Sequence, residues 1–162
     1  MKKAILNFAS QFAWEPEIVN KEKLVPANKF MLSGMGGSHL AGGILQTYNP
    51  ALDLWIHRDY ALPLVGLEER MLIFSSYSGN TEEIIDGFKK AEGKNRAVLT
   101  TGGELLRLAE EAKVPYVKLP ETDTQPRSAL GYSVRGLLKL MGEEEAFAQA
   151  GWKTICAFQT RN

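Results

Sequence analysis

The sequence predicts a doubly wound α/β/α sandwich built on a mainly parallel sheet of about five strands. Short apolar runs alternate with helical segments along most of the chain, which implies parallel pairing through right-handed crossovers. The most apolar run, Met71-Leu72-Ile73-Phe74, shows no polar alternation and reads as a strand buried on both faces. At 162 residues and 44% hydrophobic, the chain is large enough for one domain with its own core.

Each element has its own signal. Ile5, Phe8, Ala9 and Phe12 fall at helical spacing, so residues 3–13 read as an amphipathic helix opening a leading segment, 3–25. The α/β core then occupies 28–142. Lys29–Ser33 is a five-residue strand closed by Gly34, and Ser38 to Gln46 a helix with Leu40, Ala41, Ile44 and Leu45 on one side. Gly42 and Gly43 weaken that helix. Leu54–Ile56 leads a strand toward Asp59, and Met71–Phe74 follows. Thr81–Glu92 is a helix with an acidic first turn, which suits the positive end of its dipole. Ala97–Leu99 is a strand closed by Thr100–Gly103, Glu104–Lys113 a helix, and Pro115–Leu119 a further strand. A long apolar segment, Ala129–Met141, leads to Glu143–Ala150 and a tail ending in Trp152, Ile155 and Phe158. That tail, 143–162, is expected to contribute an oligomer contact; the alternative is that it folds back on its own core.

Composition removes several classes of function. Lys+Arg and Asp+Glu are equal at 19 each, which leaves no basic excess for a nucleic-acid backbone. The single Cys156 excludes an internal disulfide framework and an all-cysteine metal site. No apolar run approaches the roughly 20 residues needed to span a bilayer. Met1-Lys2-Lys3 imitates a signal-peptide start, but Glu15 and Glu17 stand where a cleavage site would be. A cytoplasmic protein without membrane or nucleic-acid partners is expected.

Two strand-to-helix junctions concentrate glycine and hydroxyl groups. The first is Ser33-Gly34-Met35-Gly36-Gly37-Ser38-His39 and the second Ser75-Ser76-Tyr77-Ser78-Gly79-Asn80-Thr81-Glu82-Glu83. In a doubly wound sheet both lie at carboxyl ends of strands, where ligands bind. Glycine admits close backbone approach, and amides at a helix start point toward an anion. Ser76, Ser78 and Thr81 add hydroxyls able to donate to phosphate oxygens. These residues could equally be ordinary helix caps. A Walker loop is excluded, because Gly93-Lys94 runs into Asn95. A dinucleotide fingerprint starting at Gly34 keeps Gly36, and Asp59 could serve the ribose, but His39 stands in place of the third glycine.

Gly34-Met35-Gly36-Gly37-Ser38, Ser76-Tyr77-Ser78-Gly79-Asn80-Thr81 and Gln125-Pro126-Arg127-Ser128-Ala129-Leu130 together resemble a sugar isomerase (SIS) domain. The branch resembled is the first half of the bifunctional phosphoglucose/phosphomannose isomerases, over about residues 3 to 142. Ile5-Leu6-Asn7-Phe8 and Gln11 fit that family's leading helix. The resemblance implies that Ser76, Ser78, Asn80 and Thr81 bind the phosphate of a hexose 6-phosphate. Gly36, Gly37 and Ser38 would face the sugar and its phosphate, with no cofactor or metal involved. Arg127 would lie near the carbons that exchange the carbonyl. A guanidinium cannot serve as the base there, but it can stabilise an enediolate. The alternative for Arg127 is a helix-entry residue paired with a carboxylate.

The family's catalytic glutamate and histidine come from a second SIS domain, and this chain stops at Asn162. His39 is a candidate proton relay, whereas His57 reads as structural. Glu82 and Glu83 are equally well explained as dipole-matching surface acids. Two readings follow. One is a phosphosugar aldose–ketose isomerase whose site is completed by another subunit, a homodimer partner or a separate SIS chain. The other is a non-catalytic sugar-phosphate-binding regulatory module.

Overall fold

The computed structural model describes residues 8–122 and 126–147. Their centre is a six-stranded sheet: β1 (Ile18–Val19), β2 (Lys29–Gly34), β3 (Asp53–His57), β4 (Met71–Ser76), β5 (Arg96–Thr100) and β6 (Tyr116–Lys118). The spatial order is β1-β6-β5-β4-β2-β3, and every pairing is parallel except β1 on β6. Among the parallel strands the first in sequence, β2, lies between the second and third. The direction of winding therefore reverses between β2 and β4, a topological switch point.

Residue alternation along the central strands divides the core. Phe30, Leu32, Met71, Ile73 and Leu99 point to one face and pack with Ala41, Leu45, Val134, Leu137 and Leu138. Met31, Leu72, Phe74 and Val98 point to the other, with Ile84, Phe88, Leu105 and Ala109. The first face is covered by α1 (Leu40–Tyr48) and α4 (Leu130–Met141), the second by α2 (Glu82–Lys90) and α3 (Gly103–Glu111). The expected sandwich is therefore present. With both faces covered, β4 is buried from end to end, which is why its sequence lacks alternation.

Gly42 belongs inside α1 for a packing reason. A Cβ there would stand 2.7 Å from Leu32 Cδ2, so the missing side chain lets the helix lie close on the sheet. At the amino ends of the strands, buried Arg70 donates to Phe30 O at 3.1 Å and to Asp53 Oδ1 at 2.7 Å. Its guanidinium also stacks 3.7 Å from the centre of the Trp55 ring. One residue thus ties β2, β3 and the start of β4 together.

The leading segment differs from the expected helix. Within its described part, Ala9–Ala13 and Lys21–Lys23 are 3₁₀ turns, and β1 lies between them as a sixth strand. Pro16 and Pro26 bracket β1 and the Lys21–Lys23 turn, and a two-residue strand is too short to show period-2 alternation. At the other end, α5 (Glu144–Phe147) begins where a helix was expected after Gly142; residues 148–162, with Trp152, Ile155 and Phe158, lie outside the described residues. Among the described residues, no helix is long and apolar enough to cross a membrane.

Candidate functional site

The two glycine-and-hydroxyl loops follow β2 and β4, the adjacent strands at the switch point. After β2 the chain turns through a 3₁₀ segment, Gly36–His39, closed by Ser38 N–H donating to Met35 O at 3.0 Å. Ser38 then joins the second loop twice. Its Oγ accepts from Tyr77 N–H at 3.2 Å, and its carbonyl accepts from the Ser75 hydroxyl at 3.3 Å.

The second loop is organised around Ser76. Its buried Oγ accepts from Gly79 N–H at 3.1 Å and lies 2.8 Å from Thr81 Oγ1. A single bond between two hydroxyls consumes one of their two protons, so the other is free to donate outward. Gly79 has φ +71°, and a Cβ there would stand 1.7 Å from Gly102 O, which restricts this position to glycine. Gly79 O accepts from Leu105 N–H at 2.9 Å, and Asn80 Oδ1 accepts from Glu104 N–H at 3.0 Å. Asn80 therefore caps α3 and holds the loop against it. Ser78 is exposed, and its Oγ accepts from Asn80 N–H at 3.3 Å.

Thr81 stands at the N-cap of α2, yet its side chain makes no capping bond. The threonine hydroxyl is instead turned to Ser76, so in this loop the capping side chain is Asn80, acting on α3. The first turn of α2 carries Glu82 and Glu83, and Tyr60 lies within their field. Its phenol is held above the ordinary tyrosine value, first by the charge of Glu83 and then by burial, Glu82 and Asp86.

A third segment completes the arrangement. The 3₁₀ turn Pro126–Ser128 brings Arg127 against the first loop, where a Cβ on Gly37 would lie 3.5 Å from Arg127 N. Across residues 34–38, 75–81 and 126–128, Arg127 is the one cation. It is exposed, and no carboxylate among the described residues pairs with it. Gln125 lies outside the described residues.

His39 faces a different environment. It lines a groove of about 980 Å³ along the outer side of α1, with Leu40, Ile44, Tyr48, Arg58 and Leu130. Its Nδ1 is buried without a hydrogen-bond partner. His57 ends β3 opposite Ser33. Among the described residues, no cluster of three or more His, Cys, Asp or Glu could hold a metal ion.

Two participants were not assigned a site role from the sequence. Tyr77 contributes its backbone amide, and its hydroxyl lies 3.0 Å from Thr122 Oγ1. Gln11 contacts Ser128 and Gly131, which are 117 and 120 residues away. No local signal marks either contact.

Fold and loops together define a sugar isomerase-type α/β domain. A Clostridium difficile 630 protein described as a phosphosugar isomerase superposes with a TM-score of 0.59 at 18% identity, over 99% of this chain and 49% of that one. The sugar isomerase domain of an RpiR transcription factor from Sphaerobacter thermophilus gives 0.56 at 13% identity, over 95% of this chain and 94% of that one.

In sequence, the chain is a homologue of bifunctional phosphoglucose/phosphomannose isomerases. It is 37% identical over 118 residues to the Caldicellulosiruptor bescii enzyme, and 31% identical over 149 residues to the one from Aquifex aeolicus. These alignments cover 70% and 88% of this chain but 34% and 45% of the relatives, so the chain spans less than half their length. No family model matches the chain.

Proposed function

We propose that this chain is the sugar-phosphate-binding SIS domain of an aldose–ketose isomerase acting on hexose 6-phosphates, with its active site completed by another subunit. The observation that carries the reading is the meeting of three loops at the switch point: Ser38 on Tyr77, Ser76 on Thr81, and Gly37 against Arg127. In this reading the whole chain, 1–162, is one domain of a cytoplasmic enzyme.

The phosphate is held by the first-turn amides of α2 and by the hydroxyls of Ser76, Ser78 and Thr81, with Ser38 alongside. Peptide dipoles equivalent to about half a charge at a helix start can hold a monoester without a lysine clamp. The sugar then extends over Gly36 and Gly37 toward Arg127. Isomerisation moves a proton between adjacent carbons through an enediolate. Arg127 supplies fixed positive charge beside that intermediate and stays protonated throughout.

Glu82 and Glu83 stand in the first turn of α2, but neither hydrogen-bonds to the loop hydroxyls; in this reading the proton-transferring group comes from a second subunit. Leu40, Ile44 and Tyr48 form an apolar stripe on α1, each 40–41% exposed, and it borders the His39 groove. A second copy packed on this stripe would bring its own side chains beside the first loop.

The lack of a carboxylate bonded to the loops, among the described residues, supports a second reading, a sugar-phosphate-binding regulatory module without turnover. Adding fructose 6-phosphate to the purified chain separates the two, with binding followed by calorimetry and product by a coupled assay for glucose and mannose 6-phosphate. Binding with turnover supports the enzyme; binding without turnover removes an enzyme completed by a second copy of this chain and favours the module. Absence of binding sinks both.

A further inference from the structure

The helix entered directly from the Arg127 turn, α4, receives no side-chain cap from its own N-cap residue, Ala129. The missing groups come from Gln11, in the 3₁₀ turn Ala9–Ala13 at the other end of the chain. Its Nε2 donates to Ser128 O at 2.6 Å, and its Oε1 accepts from Gly131 N–H at 2.8 Å. Gln11 is only 4% exposed, so neither bond competes much with water.

Three features make this contact specific. A neutral amide carries a donor and an acceptor on one planar group, as Ser128 O and Gly131 N–H require. Gly131 admits it, because a Cβ there would stand 2.7 Å from Gln11 Cβ and 2.8 Å from Oε1. One residue before Ser128, the Arg127 backbone abuts Gly37. The turn is thus in contact with both Gln11 and the first loop.

We infer that Gln11 is a positioning residue: its side-chain amide sets where Arg127 stands relative to the hydroxyl loops. The inference rests on the proposed role of Arg127 toward the sugar. Gln11 touches no reacting atom in this scheme and acts only through the turn.

The test is a double-substitution cycle read by fructose 6-phosphate affinity, with hydrogen exchange at the Gly131 amide measured alongside. Gln11→Met keeps the bulk and removes both bonds. It should speed Gly131 exchange and weaken binding by about tenfold, within the range for residues coupled through one network. On an Arg127→Ala background, Gln11→Met should weaken binding no further.

Equal losses in both backgrounds would overturn the inference and leave Gln11 a cap only. So would faster Gly131 exchange with unchanged affinity. Gln11→Glu is the second variant should Gln11→Met not fold. A protonated carboxyl can make both bonds and a carboxylate cannot donate to Ser128 O, so this variant should bind better relative to wild type as pH falls. A relative affinity that does not change with pH counts against the inference. If the wild-type chain fails to bind fructose 6-phosphate, the functional reading itself falls, a result distinct from equal losses in a chain that binds.

Discussion

The side chain of Ser38 reaches across the switch point and accepts a hydrogen bond from the backbone N–H of Tyr77 at 3.2 Å. This bond makes the loops after β2 and β4 one structure. Ser38→Ala should leave the Tyr77 amide without its protein acceptor and cost about 1–2 kcal/mol of stability. Urea denaturation measures the cost. If the hydroxyl also faces the ligand, fructose 6-phosphate affinity should fall in the same variant.

Paired removal of Ser78 and Thr81 hydroxyls tests the phosphate cradle. Each is expected to contribute about 1–2 kcal/mol to a charged acceptor, so the double alanine variant should lose roughly 2–4 kcal/mol of binding free energy. That is a weakening of about 30- to 900-fold in Kd. Unchanged affinity by calorimetry would place the phosphate elsewhere.

Gly79 and Gly37 should behave differently. Alanine at Gly79 meets Gly102 O at 1.7 Å with φ +71°, so the loop must rebuild and the variant should lose at least about 3 kcal/mol, as for severe steric strain. Alanine at Gly37 meets Arg127 N at 3.5 Å, an ordinary contact. Gly37→Ala should therefore keep its thermal midpoint while obstructing the sugar. A large fall in its midpoint would assign Gly37 to packing instead.

Arg70 should matter for stability and not for ligand binding. Arg70→Met removes charge-assisted bonds to Phe30 O and Asp53 from a buried position, at an expected cost of about 2–4 kcal/mol. Asp53→Asn should cost less, because the Asp53 side chain is 41% exposed and solvent screens the pair. Chemical denaturation of the two variants gives the ranking directly.

Tyr60 reports the field at the start of α2. Its phenol should titrate above 10.0, and Glu83→Gln should bring it down, since Glu83 is the leading cause. A folded-state pKa above the unfolded value means that the native state holds the proton more tightly. Because the cause is repulsion of the phenolate, stability is unaffected below the unfolded pKa and falls as pH rises from there through the folded one. Absorbance at alkaline pH, with Tyr60→Phe as the blank, follows the titration. A midpoint that ignores the Glu83 substitution would remove the acidic turn as its cause.

The sequence by itself determined the sandwich and the two loops. Helical and strand periods arise from which residues face the core, and the covered sheet leaves continuous apolar runs such as Met71–Phe74 that are visible without coordinates. The Ser76–Thr81 loop was legible because it is a contiguous glycine- and hydroxyl-rich stretch at the end of a strand. Only the tertiary structure decided that β2 and β4 are neighbours, that Ser38 meets Tyr77, that Asn80 caps α3, and that Gln11 grips the Arg127 turn from 117 residues away. The physical reason is range: periodicity and turn chemistry act over a few residues, whereas these hydrogen bonds exist only after the sheet has set its strand order and brought distant backbone within 3 Å or so.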